Sequence, residues 1–180
     1  MRKKHVRNLT AGCAAFMAAA FVFSAGFSKT AFADEADKTT LVYGSTDYTR
    51  INPAMDEHCE INVLLFDGLT DHDGDNQIIP RLAKSWEYDE ENLTYTFHLE
   101  EGVKWHDGEP FTAEDVKFTF EAIMDPANES ENAPDYEDIE SIEVIDEHTV
   151  AFHLSNVNTA FLEYMTRPVM PKHLLEGEDW

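Results

Sequence analysis

Basic residues are scarce in this chain. Its 180 residues carry 13 Lys and Arg against 36 Asp and Glu, a net charge of −23. That balance excludes nucleic acid as a partner, because binding phosphates takes clustered Lys and Arg that release counterions. Docking on an anionic lipid surface fails for the same reason. Cysteine is scarcer still, with only Cys13 and Cys59. No uninterrupted apolar run reaches the roughly 20 residues that a helix needs to cross a hydrocarbon core. Internal repeats are absent, and neither G-x-S-x-G nor H-E-x-x-H occurs, which removes two motif-borne routes to hydrolysis.

The N-terminus reads as an export address. Arg2, Lys3, Lys4 and Arg7 precede an apolar stretch from Ala11 to Phe23, and Ala31-Phe32-Ala33 closes the segment just before Asp34-Glu35. A charged start, an apolar stretch of this length and an A-x-A end make a secretory signal peptide over residues 1–33, cut after Ala33. Thr10-Ala11-Gly12-Cys13 resembles the end of a lipoprotein signal, but a lipid-modified cysteine follows the apolar run, and here the run follows Cys13. Cys13 is therefore read as a small residue inside the apolar stretch.

Removing residues 1–33 takes away five of the 13 cations and no anion, leaving eight Lys and Arg against 36 Asp and Glu, a net charge of −28. Such acidity is read as solubility outside the cell, in preference to the sharper alternative of a bias toward cationic ligands. Cys59 alone remains, so no intramolecular disulfide can form. The mature chain, long enough for a core, must hold by packing.

Periodicity outlines a mixed α/β fold. Thr39 to Gly44, "TTLVYG", is a short apolar strand, and Asn52-Pro53 marks a turn. From Asp56 the pattern is helical, with Ile61, Leu64, Leu65 and Leu69 at steps of three and four, until Gly68 and "DHDGDN" stop it. "IIPRLAKSWEYD" brings an apolar pair, a proline and a short turn ending in Trp86. Leu93, Tyr95, Phe97 and Leu99 alternate as one face of a half-buried antiparallel strand. Ile142 and Val144, then Val150, Phe152 and Leu154, alternate on either side of Asp146-Glu147-His148 and form a hairpin. Asp125 to Asp138 reads as a solvated, mobile acidic loop. "NTAFLEYM" is a short helix with Asn158 as its cap. At "PKHLLEGEDW" a new helix starts and the chain stops, so it is read as a truncated fragment.

One stretch looks reactive. "VKWHDGEPFTAEDVKFTFEAI", Val103 to Ile123, sets His106 and Asp107 among carboxylates and aromatic rings. Yet Thr112 is a good N-cap, Glu114 and Asp115 fall where a helix dipole favours negative charge, and Val116, Phe120 and Ile123 share one face. Asp107-Gly108 is a turn signal, with Asp107 as a local acceptor for His106. A catalytic pair would need a nucleophile or a metal as third element. The stretch is scaffold. "DHDGD", Asp71 to Asp75, is likewise an acidic turn: an EF-hand loop needs Gly sixth and Glu twelfth, but Gly74 is fourth and Leu82 twelfth.

"YTFHLEEGVKWHDGEPFTAEDVKFTFEAI" closely resembles the signature of the family 5 extracellular solute-binding proteins, the peptide- and nickel-binding components of bacterial ABC importers. "LFDGLT", "IIPRLAKSWEYDEENLTYTFHL", "VIDEHTVAFHLS" and "PVMPKHLL" have counterparts in the same order. The resemblance implies a type II periplasmic-binding-protein architecture with two lobes, of which residues 34–180 are the N-terminal part of the first, including its small subdomain. It implies an exported monomeric receptor, not an enzyme, that captures oligopeptides or dipeptides for a membrane permease. The signature lies away from the ligand in that family, whereas the stretch after the "NP" turn runs beside it. Met55, Asp56, Glu57, His58 and Cys59 are thus the candidate ligand-binding residues. No catalytic residue, metal site or cofactor is expected. Two rivals remain. Asp56, Glu57, His58 and Cys59 offer ligands to a borderline transition metal, which favours a nickel or metal-chelate receptor, and a secreted hydrolase would use His106 and Asp107.

Overall fold

Alternating side chains and a well-capped helix account for the centre of the fold. The computed structural model describes Gly44 and residues 52–55 and 61–178. The signal peptide, the "TTL" strand and Asp56–Cys59 lie outside the described residues. Apart from Gly44, the described residues belong to one unit, residues 45–180. Its helices are α1 (Asn62–Leu65), α2 (Ala113–Met124), α3 (Phe161–Tyr164) and α4 (Lys172–Leu175). Its strands are β1 (Thr70–His72), β2 (Ile78–Pro80), β3 (Ala83–Asp89), β4 (Thr94–Leu99), β5 (Ile139–Asp146) and β6 (Thr149–Leu154). β1 and β2 form a two-stranded hairpin, and the other four make an antiparallel sheet in the order β3-β4-β6-β5.

The expected alternation is realised in β4 and β6. Phe97 and Leu99 are buried from β4, and Val150, Phe152 and Leu154 from β6, with Phe97 opposite Val150 in register. α2 adds Val116, Phe120 and Ile123, all fully buried. Phe152 is the hub of this core. Its ring meets Phe97 at 5.7 Å, Phe120 at 5.3 Å and Phe161 at 5.6 Å, each close to edge-on. Such pairs contribute about 0.5–1.5 kcal/mol each beyond their burial.

Three expectations fail, each for a local reason. "AKSWEYD" is a strand, β3, on the sheet edge, where only one side is paired and the alternation is blurred by a register shift between Ala83 and Ser85. α1 is only four residues long because Phe66 turns extended at φ −135° and ψ 151°. Leu69 is therefore buried on its own extended segment, its N–H bonded to the Met165 carbonyl at 2.9 Å, while Leu64 is 50% exposed and Asn62 is buried. The acidic loop after α2 is not wholly solvated. It winds into two 3-10 turns, Pro126–Asn128 and Ala133–Tyr136, and buries Ser130, Asn132 and Tyr136. Among the described residues, no helix is long and apolar enough to cross a membrane.

Candidate functional site

The predicted ligand segment begins at a turn whose geometry is well defined. Asn52 Oδ1 accepts the Ala54 N–H at 3.0 Å, and the Met55 N–H donates to the Asn52 carbonyl at 3.2 Å. The Asn-Pro turn is thus present. Ala54 is fully buried, and its carbonyl accepts hydrogen bonds from Ser130 Oγ and from Asn132 Nδ2 at 3.2 Å. Met55 is half-buried and packs against the core. The other four candidates, Asp56, Glu57, His58 and Cys59, lie outside the described residues. Ser130 and Asn132 were missed by sequence reasoning, since polar residues in an acidic Pro/Asn-rich stretch carry no mark of burial.

The signature stretch is built as a support. Residues 103–111 form a tight loop: the Trp105 N–H donates to the Glu109 carbonyl at 2.9 Å, and the Gly108 N–H to the Trp105 carbonyl at 2.9 Å. Gly108 has φ +96°, which side-chain-bearing residues rarely adopt. Asp107 Oδ1 accepts the Glu109 N–H at 3.1 Å. Its other oxygen pairs with His173 Nε2 at 2.7 Å, so the expected partnership with His106 is replaced by one with a residue of α4. The hydrogen bond from His173, with the backbone bond from Glu109, holds the Asp107 carboxyl below the usual carboxylate range. His106 itself is exposed. It sits on a notch of about 90 Å³ whose lining among the described residues, from Leu65, Phe66 and Trp105 to Phe111, contains no hydroxyl or thiol.

Farther along, Asp115 joins the signature helix to the chain's final segment. Asp115 is buried, and its Oδ2 accepts the Thr112 N–H at 2.9 Å, the reciprocal half of the predicted cap. Its Oδ1 accepts the Lys172 N–H at 2.9 Å. One turn on, the buried Thr119 hydroxyl donates to the Asp115 carbonyl at 2.8 Å and accepts the Met170 N–H at 2.9 Å.

One array looks catalytic at first sight. Thr94 Oγ1 lies 3.0 Å from His153 Nδ1, and His153 Nε2 lies 3.4 Å from Glu143 Oε2, beside a concavity of about 690 Å³. The Thr94 hydroxyl, however, also lies 2.9 Å from the Asn92 carbonyl, and its single proton can serve only one of the two. Among the described residues, no group of three or more His, Cys, Asp or Glu is placed to hold a metal ion. In "DHDGD", Asp73 Oδ1 accepts the Asp75 and Gln77 N–H groups at 2.9 Å each, closing the β1–β2 turn.

The chain is 37% identical over 122 residues to Di/tripeptide-binding protein 1 of Pseudomonas aeruginosa, covering 58% of this chain and 23% of the relative. It is 35% identical over 126 residues to a dipeptide-binding protein of the same species, covering 60% of this chain and 24% of the relative. Among solved structures it is similar to NikZ from Campylobacter jejuni in complex with Ni(L-His), with a TM-score of 0.71 and 41% identity over 74% of this chain and 27% of that one. The Bacillus subtilis oligopeptide-binding protein AppA, in complex with a nonapeptide, matches with a TM-score of 0.66 and 28% identity over 71% of this chain and 26% of that one. The chain therefore spans about a quarter of the length of the relatives it matches. The family model described as "Bacterial extracellular solute-binding proteins, family 5 Middle" matches residues 77–178, more than half of the chain. This chain belongs to the family 5 bacterial extracellular solute-binding proteins.

Proposed function

We propose that the chain is the N-terminal part, residues 34–180, of the first lobe of an exported receptor that captures short peptides for the membrane permease of an ABC importer. The observation that carries this reading is the family match over residues 77–178, together with relatives named for dipeptide and tripeptide binding. The described site chemistry supports a binder over an enzyme. Asp107 is engaged by His173, and among the described residues the notch beside His106 is lined by no hydroxyl or thiol.

The mechanism is clamp closure. The open state offers one lobe to the ligand, and contacts to both lobes favour the closed state. A peptide gripped mainly through its backbone leaves its side chains unspecified. Met55 to Cys59 form the first lobe's contribution, and the groups that anchor the ligand termini come from the second lobe. The signal peptide over residues 1–33 delivers the protein outside the cytoplasm, where it works as a monomer without a cofactor.

A second reading, a receptor for a nickel chelate through His58 and Cys59, is favoured by the 41% identity with NikZ in its Ni(L-His) complex. Calorimetric titration of the full-length protein with dialanine, trialanine and Ni(L-His) separates the two. Saturable heat with a peptide supports the first reading, and heat with Ni(L-His) alone supports the second. Binding of none of the three counts against both. The isolated 34–180 piece, lacking half the clamp, is expected to bind none of them.

A further inference from the structure

Helix α1 is turned the wrong way for a surface helix. Such a helix buries its apolar residues and leaves its polar ones in water. Among the described side chains of α1, the buried one is Asn62, whose Oδ1 has no hydrogen-bond partner among the described residues. Leu64 and Leu65 are the open ones, at 50% and 37%. Leu65 also lines the notch of about 90 Å³, together with Phe66, Leu82, Val103, Trp105 and Phe111. Single exposed leucines are ordinary on a protein surface, but two leucines running into an apolar notch make a continuous patch.

The rim of the notch carries a cation without an acid. Asp67 is there too, but Arg81 neutralises it at 2.8 Å. Among the described residues, no carboxylate lies within ion-pair distance of Lys104, whereas Lys84, Lys117 and Lys172 each have one. In a chain with 36 Asp and Glu, such a lysine is out of keeping with its surroundings. An occupant that brings an aliphatic side chain with a neighbouring carboxylate meets both features. The notch is smaller than the ~150 Å³ apolar cavity that takes benzene, so one aliphatic side chain fits it and a ring does not.

Size decides the kind of occupant. A separate protein needs on the order of 1,000 Å² of buried surface to stay bound, more than one notch and two leucines supply. A second copy would also bring together two strongly acidic surfaces. A tethered segment needs no such area, because its linkage supplies a high effective concentration. The relatives are about four times as long as the part of them that this chain matches. We propose that the patch of α1 and Trp105 seats a later segment of the same polypeptide, beyond residue 180, which lays an aliphatic side chain in the notch and a carboxylate on Lys104. This placement rests on the reading of residues 34–180 as the N-terminal part of a longer receptor. Lys104 and Trp105 of the signature stretch thereby help to anchor the rest of the protein.

The test is zero-length carbodiimide cross-linking of the full-length protein, followed by mass spectrometry. Isotope-labelled and unlabelled protein are mixed, so that links between copies appear as mixed pairs. Lys104 is expected to link to an Asp or Glu beyond residue 180 of the same molecule. Acetylation of Lys104 by an amine-reactive ester is expected to be roughly tenfold slower than that of Lys84, whose partner Glu101 is exposed. Tenfold corresponds to about 1.4 kcal/mol, more than an exposed ion pair gives. Leu65→Glu, which places a charge at the notch, should abolish the link and bring Lys104 to the rate of Lys84, while Leu65→Met keeps both the link and the protection. Links from Lys104 only within residues 34–180, links only between copies, no link at all, or acetylation as fast as at Lys84 would overturn the placement. A full-length protein whose mass ends at residue 180 would instead remove the reading of the chain as part of a longer receptor, which is a separate failure.

Discussion

Replacing Asp115 by alanine tests whether the signature stretch is structural. The carboxylate is buried and accepts two backbone N–H groups, from Thr112 at the start of α2 and from Lys172 at the start of α4, at 2.9 Å each. Hydrogen bonds to a charged group contribute about 1.5–3 kcal/mol apiece. Thr112 and Lys172 are only partly buried, so water can reach part of what is lost and the lower figure applies. Two such bonds give about 3 kcal/mol for Asp115→Ala. Asp115→Asn keeps one acceptor oxygen and should lose about half of that, roughly 1.5 kcal/mol. Urea unfolding followed by tryptophan fluorescence reads both values. A loss below about 1 kcal/mol for Asp115→Ala, within the range of an ordinary surface change, would refute the claim that this carboxylate ties two helices together.

Further expectations concern neighbouring positions. A Cβ on Gly68 would lie 2.5 Å from the Thr166 carbonyl oxygen and 2.6 Å from its carbon; backbone cannot step aside there, so Gly68→Ala should cost about 2–3 kcal/mol in the same assay. Trp105 packs edge-on against Phe111 at 6.1 Å, but its buried Nε1 has no hydrogen-bond partner among the described residues. Trp105→Phe should therefore be within about 0.5 kcal/mol of wild type, while Trp105→Ala loses about 2–3 kcal/mol; equal losses would mean that the indole N–H is bonded. Asp107 is held below the usual carboxylate range by His173. Its contribution is present above the unfolded carboxylate pKa and is lost as pH falls through the lower folded value, so His173→Ala should move the Asp107 carboxyl resonance titration upward. Burial pushes the Tyr136 hydroxyl up to about 12. Its contribution is present below the unfolded value near 10 and lost as pH rises, so in an alkaline absorbance titration the Tyr136→Phe difference should ionise only with unfolding.

Where a side chain's fate follows from its immediate neighbours, it was legible in the sequence. The alternation from Tyr95 to Leu99, the hairpin about Asp146–His148 and the Thr112–Asp115 cap all depend on residues within a few positions. Asn158 does not cap α3 as expected: its Oδ1 accepts the Ala160 N–H at 3.0 Å in the turn before the helix, whose N-cap is Ala160. Contacts between distant segments were not legible. Nothing near Asp107 announces His173, 66 residues on, and nothing near Ser130 announces the Ala54 carbonyl. The 125–138 loop misled because its composition is that of a solvated loop, while Tyr136 and two polar side chains turn inward. Leu64 and Leu65 misled because periodicity reports an apolar face, not what covers it. Of the candidate ligand segment only Met55 falls within the described residues, half-buried after the predicted turn.

The proposed receptor would hold its solute unchanged. The most direct test incubates the full-length protein with a molar excess of trialanine, separates bound from free, and recovers both pools for mass spectrometry over a day. Intact tripeptide is expected in the bound pool, in saturable amount, and no dialanine or alanine in either pool, with His106→Gln behaving as wild type. Peptide fragments that accumulate with time, and that vanish in the His106→Gln protein, would contradict it.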